Sequence, residues 1–134
     1  MSITIKRDLT QPMRQIVHVR NHLISADGTV EEGGADAGPS PHDLYDAALG
    51  ACKALTVVWY AKRKGIPVED IEITIERDAS EERKGVYRLS AAMQLGGDLS
   101  AEQRADLLAV AEKCPVHKLM STVTTEITTR LVEP

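Results

Sequence analysis

Several segments of the chain alternate between apolar and polar residues, which is the pattern of a half-buried β-strand. In the segment 71–76, three isoleucines alternate with glutamate and threonine. The segment 87–95 has the same period and follows a charged turn, so the two segments are predicted to form a hairpin. The same reasoning predicts two N-terminal strands at 3–9 and 17–23, and a last strand at 122–132.

The longest apolar segment instead predicts a helix at 41–64. Ser40 is suited to the N-cap, Pro41 to the first helical position and Asp43 to the acidic position of a capping box. A glycine follows the last turn and is a common helix terminator. Residues 47–59 are apolar on nearly every side. We therefore expect this helix to be central and covered on several sides.

Two shorter helices are predicted nearer the C-terminus. Ser100 and Gln103 form a second capping-box pair, and Pro115 ends the helix that they begin. Pro115 can also start a further short helix at 116–120. The predicted order of elements is β-β-α-β-β-α-α-β, an α+β fold with sheets packed around one long apolar helix. A chain of 134 residues is expected to form a single domain, 1–134.

Charge and composition narrow the classes of partner. The formal net charge is −4, whereas a nucleic-acid binder needs a basic surface. No apolar run approaches the about 18 residues of a membrane span. The N-terminus lacks the apolar stretch of a signal peptide, so we expect a cytoplasmic protein. Aromatic residues, which supply much of the burial in small cores, make up only 3% of the chain. Dimerisation is one way for such a protein to bury more surface.

The two cysteines are the first candidates for chemistry. In a reducing cytosol such a pair is more often catalytic, metal-binding or simply buried than a permanent disulfide. Cys52 lies at the middle of the long helix and can be a structural residue; a reactive Cys52 needs a nearby cation, and its own helix offers only Lys53. Cys114 can cap the helix that follows Pro115, where backbone N–H groups and the helix dipole favour a thiolate. The alternative is that Cys114 only completes an apolar helix face.

The histidines do not form a complete metal site. His18 and His22 share the face of a predicted strand but lie apart on it. Cys114 and His117 have the spacing of one half of a zinc site, and the other half is missing. We therefore expect no bound metal.

Two motifs are similar to those of the OsmC/Ohr family. The first comprises Gly33-Gly34, the run GPSPHDL at 38–44 and the run AALGAC at 47–52, and the second is AEKCPVH at 111–117. The order of predicted elements agrees over nearly the whole chain, and the likeness is to the broad OsmC-like branch. The resemblance implies a swapped, intertwined homodimer with central long helices and with strands from both chains in each sheet.

The resemblance also implies an activity, the thiol-dependent reduction of peroxides and of organic hydroperoxides especially, as part of an antioxidant response to oxidative stress. The cysteine matching Cys52 is the one that attacks the peroxide and becomes a sulfenic acid. The cysteine matching Cys114 resolves this sulfenic acid to a disulfide, which a dithiol reductant then opens. The reaction requires no metal and no organic cofactor.

In better-known branches of the family an arginine holds the thiolate, and a glutamate near the start of the long helix orients that arginine. By resemblance Arg14 is the first choice for this arginine and Arg20 the second. The position of the glutamate is occupied by His42, with Asp43 beside it.

Two other functions compete with the peroxidase. One is a non-catalytic, dimeric stress-response protein that binds a small apolar ligand at the subunit interface and uses its cysteines as core residues. The other is a cysteine hydrolase or acyltransferase in which Cys114 is the nucleophile and His117 the base.

Overall fold

In the computed structural model, which describes residues 1–134, three short strands near the N-terminus pair in chain order. Strands β1 (Ile3–Arg7), β2 (Gln15–Val19) and β3 (His22–Ala26) form an antiparallel sheet. This sheet lies in the first of two compact units, which comprise Met1–Ala48 and Leu49–Pro134.

The single strand predicted at 17–23 is wrong, because the chain reverses within it. Val19 pairs with His22, so Arg20 and Asn21 form a two-residue hairpin turn between β2 and β3. Arg20 adopts a left-handed conformation with φ 53°, as such tight turns require. A period of two continues unchanged across a two-residue turn, and for this reason alternation alone did not reveal it.

The loop after β3 is organised around a buried carboxylate. Asp27 is 4% exposed and accepts hydrogen bonds from the backbone N–H groups of Gly28, Ala35 and Ala37 at 2.8, 3.2 and 2.9 Å. These bonds, the one from Ala37 first, hold the pKa of Asp27 below its ordinary value. A Cβ on Gly34 would overlap the carbonyl oxygen of Gly28. The glycine-rich segment thus allows the loop to close tightly over the carboxylate.

The long helix α1 spans Pro41–Lys64, as predicted. Its capping box is present: the Asp43 N–H donates to Ser40 Oγ at 3.1 Å, and the Ser40 N–H donates to Asp43 Oδ2 at 3.0 Å. Gly65 ends the helix in the left-handed conformation, with φ 68°. These local signals were sufficient to fix both ends of α1.

The second unit contains the predicted hairpin and the two shorter helices. Strand β4 (Asp70–Asp78) pairs antiparallel with β5 (Arg88–Gly96), followed by α2 (Ala101–Glu112) and α3 (Pro115–Ser121). The Ser100–Gln103 capping box is formed at the start of α2. The buried core of this unit joins α1 to α2 through Val57, Ala61, Leu107 and Ala111.

Two apolar regions of the second unit are not covered by the chain itself. Three side chains on one face of α1, Leu55, Val58 and Trp59, are 46% to 70% exposed. The chain therefore packs against only one side of α1, whereas cover on several sides was expected. The strand predicted at 122–132 is also absent: residues 122–134 adopt no regular structure, and Ile127 and Leu131 are 80% and 94% exposed. A strand needs a hydrogen-bonded neighbour, and this chain supplies none to that segment.

The observed order is therefore β-β-β-α-β-β-α-α. The predicted α+β class is confirmed, with antiparallel sheets and three α-helices. No helix combines the length and the hydropathy that crossing a membrane requires.

Candidate functional site

The second unit brings the two cysteines together. Cys52 is half-buried on α1, and Cys114 is completely buried at the N-cap of α3. The Cys52 thiol is close enough to Cys114 to influence its pKa. The first turn of α3 contacts both sulfurs: the Val116 N–H donates to Cys52 Sγ at 3.5 Å, and the His117 N–H donates to Cys114 Sγ at 3.4 Å. The prediction that Cys114 caps this helix is confirmed.

The prediction that the helix end makes the Cys114 thiol unusually acidic is wrong. Burial is the largest influence and raises the pKa of Cys114, because a thiolate is poorly solvated there. The neighbouring Cys52 thiol also raises this pKa, whereas the His117 N–H and the charge of Lys53 lower it. Burial thus favours the protonated form of the Cys114 thiol.

Lys53, the cation that the sequence places next to Cys52 on its own helix, is a buried residue. Lys53 is 6% exposed, and its Nζ donates to the carbonyl oxygen of Ala111 at 2.9 Å. The same ammonium lies 2.9 Å from Nδ1 of His117. Because an ammonium can only donate, Nδ1 is the acceptor and the ring proton is on Nε2. The available signal was a single lysine among apolar residues, directly after Cys52.

Lys53 and His117 also line a cavity of about 230 Å³ in the second unit. Its walls come from α1, from the β4–β5 hairpin, from α2 and from α3, and most of the lining residues are apolar. The apolar lining residues are Leu49, Ile73, Leu89, Ala91, Met93, Leu108 and Ala111. Glu112 is the one acidic residue of the lining. The cavity thus has a mostly apolar lining to which Lys53, His117 and Glu112 add polar groups.

The arginines expected near the thiolate belong to the first unit. Arg14 pairs with Asp8 at 3.6 Å between Nη1 and Oδ2, and its buried Nε has no hydrogen-bond partner. Arg20 occupies the turn between β2 and β3. The role of either arginine at the cysteines stays a prediction.

The two residues near the expected glutamate position are in the first turn of α1. Asp43 is the capping residue described above, so its carboxylate is engaged with the Ser40 backbone. His42 is the neighbouring residue of the same turn. Neither finding assigns an arginine-orienting role to these side chains.

The geometry disfavours the hydrolase hypothesis. His117 contacts Cys114 through its backbone N–H, while its ring Nδ1 is occupied by the Lys53 ammonium. A general base must reach the nucleophile through its ring nitrogen. The structure also contains no group of three or more histidine, cysteine or acidic residues placed to hold a metal ion.

The fold and the paired cysteines together define a two-cysteine α+β protein. The profile of the family described as OsmC-like protein matches residues 33–130, a range that contains both cysteines. The chain belongs to the OsmC-like protein family, which confirms the resemblance carried by the two motifs. No curated protein sequence gives a significant match.

Solved structures with the same fold cover nearly the whole chain. An OsmC-like protein from Mycoplasma pneumoniae is 16% identical with a TM-score of 0.74, covering 91% of this chain and 87% of that one. The organic hydroperoxide resistance protein OsmC from Legionella pneumophila is 20% identical with a TM-score of 0.65, covering 91% and 90%. The organic hydroperoxide resistance protein OhrB of Bacillus subtilis is 18% identical with a TM-score of 0.61, covering 90% of each chain. These likenesses establish the fold.

Proposed function

We propose that this protein is a thiol-dependent peroxidase that reduces organic hydroperoxides, with hydrogen peroxide as a possible further substrate. The observation that carries the proposal is that two consecutive backbone N–H groups of α3, those of Val116 and His117, donate to Cys52 Sγ and Cys114 Sγ. Thiols held by adjacent residues of one turn lie near each other, which a disulfide between them requires. Two of the structural neighbours are named organic hydroperoxide resistance proteins, which supports the same substrate class.

In the proposed reaction the Cys52 thiolate attacks the outer oxygen of the hydroperoxide. An S–O bond forms, the O–O bond breaks, and the organic product leaves as an alcohol after taking up one proton. Cys52 is then a sulfenic acid. The Cys114 sulfur attacks the Cys52 sulfur, which forms the disulfide and releases water.

A dithiol reductant of the cytoplasm then returns both cysteines to thiols. One peroxide is reduced to one alcohol and one water at the expense of two thiol electrons and protons. No metal or organic cofactor takes part. By resemblance Arg14, with Arg20 as the second choice, is the arginine proposed to stabilise the attacking thiolate.

The working form is proposed to be a homodimer. Its support is the apolar surface that the chain leaves open on α1, at Leu55, Val58 and Trp59, and along residues 122–134. In an intertwined dimer the long helices would cover one another, and the C-terminal segment would find a strand neighbour in the partner. Light scattering should then give twice the 14.6 kDa of one chain. Removal of residues 122–134 should weaken the association.

The peroxidase proposal is tested by following the loss of an alkyl hydroperoxide in the presence of a dithiol. The wild-type protein should consume it, and Cys52→Ser should not. Mass spectrometry of peroxide-treated protein without reductant should recover a peptide pair linked through Cys52 and Cys114. If both cysteines stay reduced under excess organic hydroperoxide, the proposal is wrong.

Binding of a small apolar ligand is the second candidate, favoured by the largely apolar cavity of about 230 Å³. In this case the cysteines would be core residues only. A Cys52→Ala variant that keeps both its stability and its cellular phenotype would support this function over the peroxidase.

A further inference from the structure

Lys53 carries a buried charge that its hydrogen bonds do not neutralise. Lys53 is 6% exposed, and both acceptors of its ammonium, the Ala111 carbonyl oxygen and His117 Nδ1, are neutral groups. Burying an ammonium is costly unless a negative charge lies near it. The buried ammonium therefore favours the ionised form of any acidic group near it.

The acidic groups in these surroundings are the two thiols and the carboxylate of Glu112, which lines the same cavity as Lys53. Lys53 directly follows Cys52 on α1, and its acceptor Ala111 is three residues before Cys114. Its second acceptor, His117, donates its own N–H to Cys114 Sγ. The ammonium is thus held by the same two segments that hold the Cys114 sulfur. Its charge lowers the pKa of Cys114 against the effect of burial.

We propose that Lys53 is the resident cation of the Cys52–Cys114 pair: its ammonium stabilises one negative charge on the paired thiols, and His117 holds the ammonium in place. The inference deepens the proposed peroxidase, because it supplies a charge for the thiolate from the long helix itself. Lys53 acts here as a charge-stabilising residue, and His117 as a positioning residue that acts through it.

The groups that face Lys53 from the neighbouring elements are consistent with this role. The β4–β5 hairpin contributes only apolar side chains to the shared cavity wall. Helix α2 contributes Glu112 to that wall, and α3 contributes His117.

The test measures thiol ionisation directly and uses no peroxide. The rate of alkylation of Cys52 by iodoacetamide is followed from pH 5 to 10 by mass spectrometry, because the thiolate is the reacting form. Lys53→Met keeps the side-chain length but removes the charge, and we expect the midpoint of the profile to move up by about one pH unit or more. Lys53→Arg should restore most of the wild-type profile. Lys62→Met, an exposed lysine of the same helix, should leave it unchanged.

His117→Phe provides a second variant that keeps Lys53. Loss of the Nδ1 acceptor should move the midpoint in the same direction as Lys53→Met, by a smaller amount. An unchanged profile in both Lys53→Met and His117→Phe would overturn the inference. The outcome is separate from that of the proposed function, because a peroxide-induced disulfide between the cysteines could still form. Conversely, a protein without peroxidase activity would still show the shift.

Discussion

Replacing Leu107 by alanine should reveal how strongly the core holds the cysteine site. Leu107 on α2 is completely buried and packs with Val57 and Ala61 of α1. Truncation of a completely buried leucine costs about 3 kcal/mol, within the usual range of about 2–5 kcal/mol. That is a large share of the about 5–15 kcal/mol that stabilises a typical native protein.

Leu108 is the matched control, because it is the next residue of the same helix and is 51% exposed. Leu108→Ala should cost about 1 kcal/mol or less, since half of its surface already contacts water. Urea unfolding at one fixed protein concentration gives the loss of unfolding free energy for both variants. The slope of this free energy against urea concentration should be the same for wild type and variants. The melting temperature of Leu107→Ala should fall by about 10 °C.

Leu107→Ala should also have a measurable effect at the cysteine site. The last turn of α2 carries the Ala111 carbonyl that accepts from Lys53 and leads into Cys114. Loosening α2 should therefore increase the rate at which the buried Cys114 is alkylated under native conditions. Equal destabilisation by Leu107→Ala and Leu108→Ala would refute the reasoning, because it would mean that burial in this core does not decide the cost.

Three further predictions address the loop, the reaction and the helix start. The pKa of Asp27 is depressed in the folded state, so its stabilising contribution is present above about pH 4 and is lost as the pH falls through the folded pKa. Asp27→Asn should therefore flatten the acid side of the stability profile, and identical acid unfolding of the two proteins would contradict this. Cys114→Ser should accumulate a Cys52 sulfenic acid that dimedone traps after peroxide treatment, whereas the wild type should give little adduct because the disulfide forms first. Ser100→Ala should lose about 1 kcal/mol through loss of the capping box, with the exposed Ser2→Ala as a neutral control in the same urea assay.

The long helix was predictable because all of its signals are local. Ser40 and Asp43 cap its start, Gly65 ends it, and each acts within a few residues of its own position. The β4–β5 hairpin was predictable for a similar reason, since three isoleucines alternate with polar residues on β4. The prediction of a single strand at 17–23 failed because a two-residue turn at Arg20 leaves the apolar–polar alternation intact.

The candidate site was predictable only in part. Cys52 and Cys114 stood out as the only cysteines, and the two motifs around them pointed to one family. The prediction that the helix end makes the Cys114 thiol acidic was wrong because it considered only the helix dipole and the backbone N–H groups. Burial has the larger effect and raises the pKa of Cys114. Lys53 was identified only as a cation on the same helix as Cys52, because its contacts with Ala111 and His117 depend on segments distant in the chain.

The amino-acid sequence by itself determined the elements whose causes are local: the caps, the helix ends, the hairpin and the α+β class that follows from their order. Only the tertiary structure decided which distant groups meet. Packing α1 against α2 and α3 places Lys53 Nζ 2.9 Å from both Ala111 O and His117 Nδ1, and it brings Cys52 Sγ and Cys114 Sγ to consecutive N–H groups of α3. Burial and charge depend on every neighbour in space at once, and so the chemistry of a thiol cannot be derived from the residues beside it in the chain.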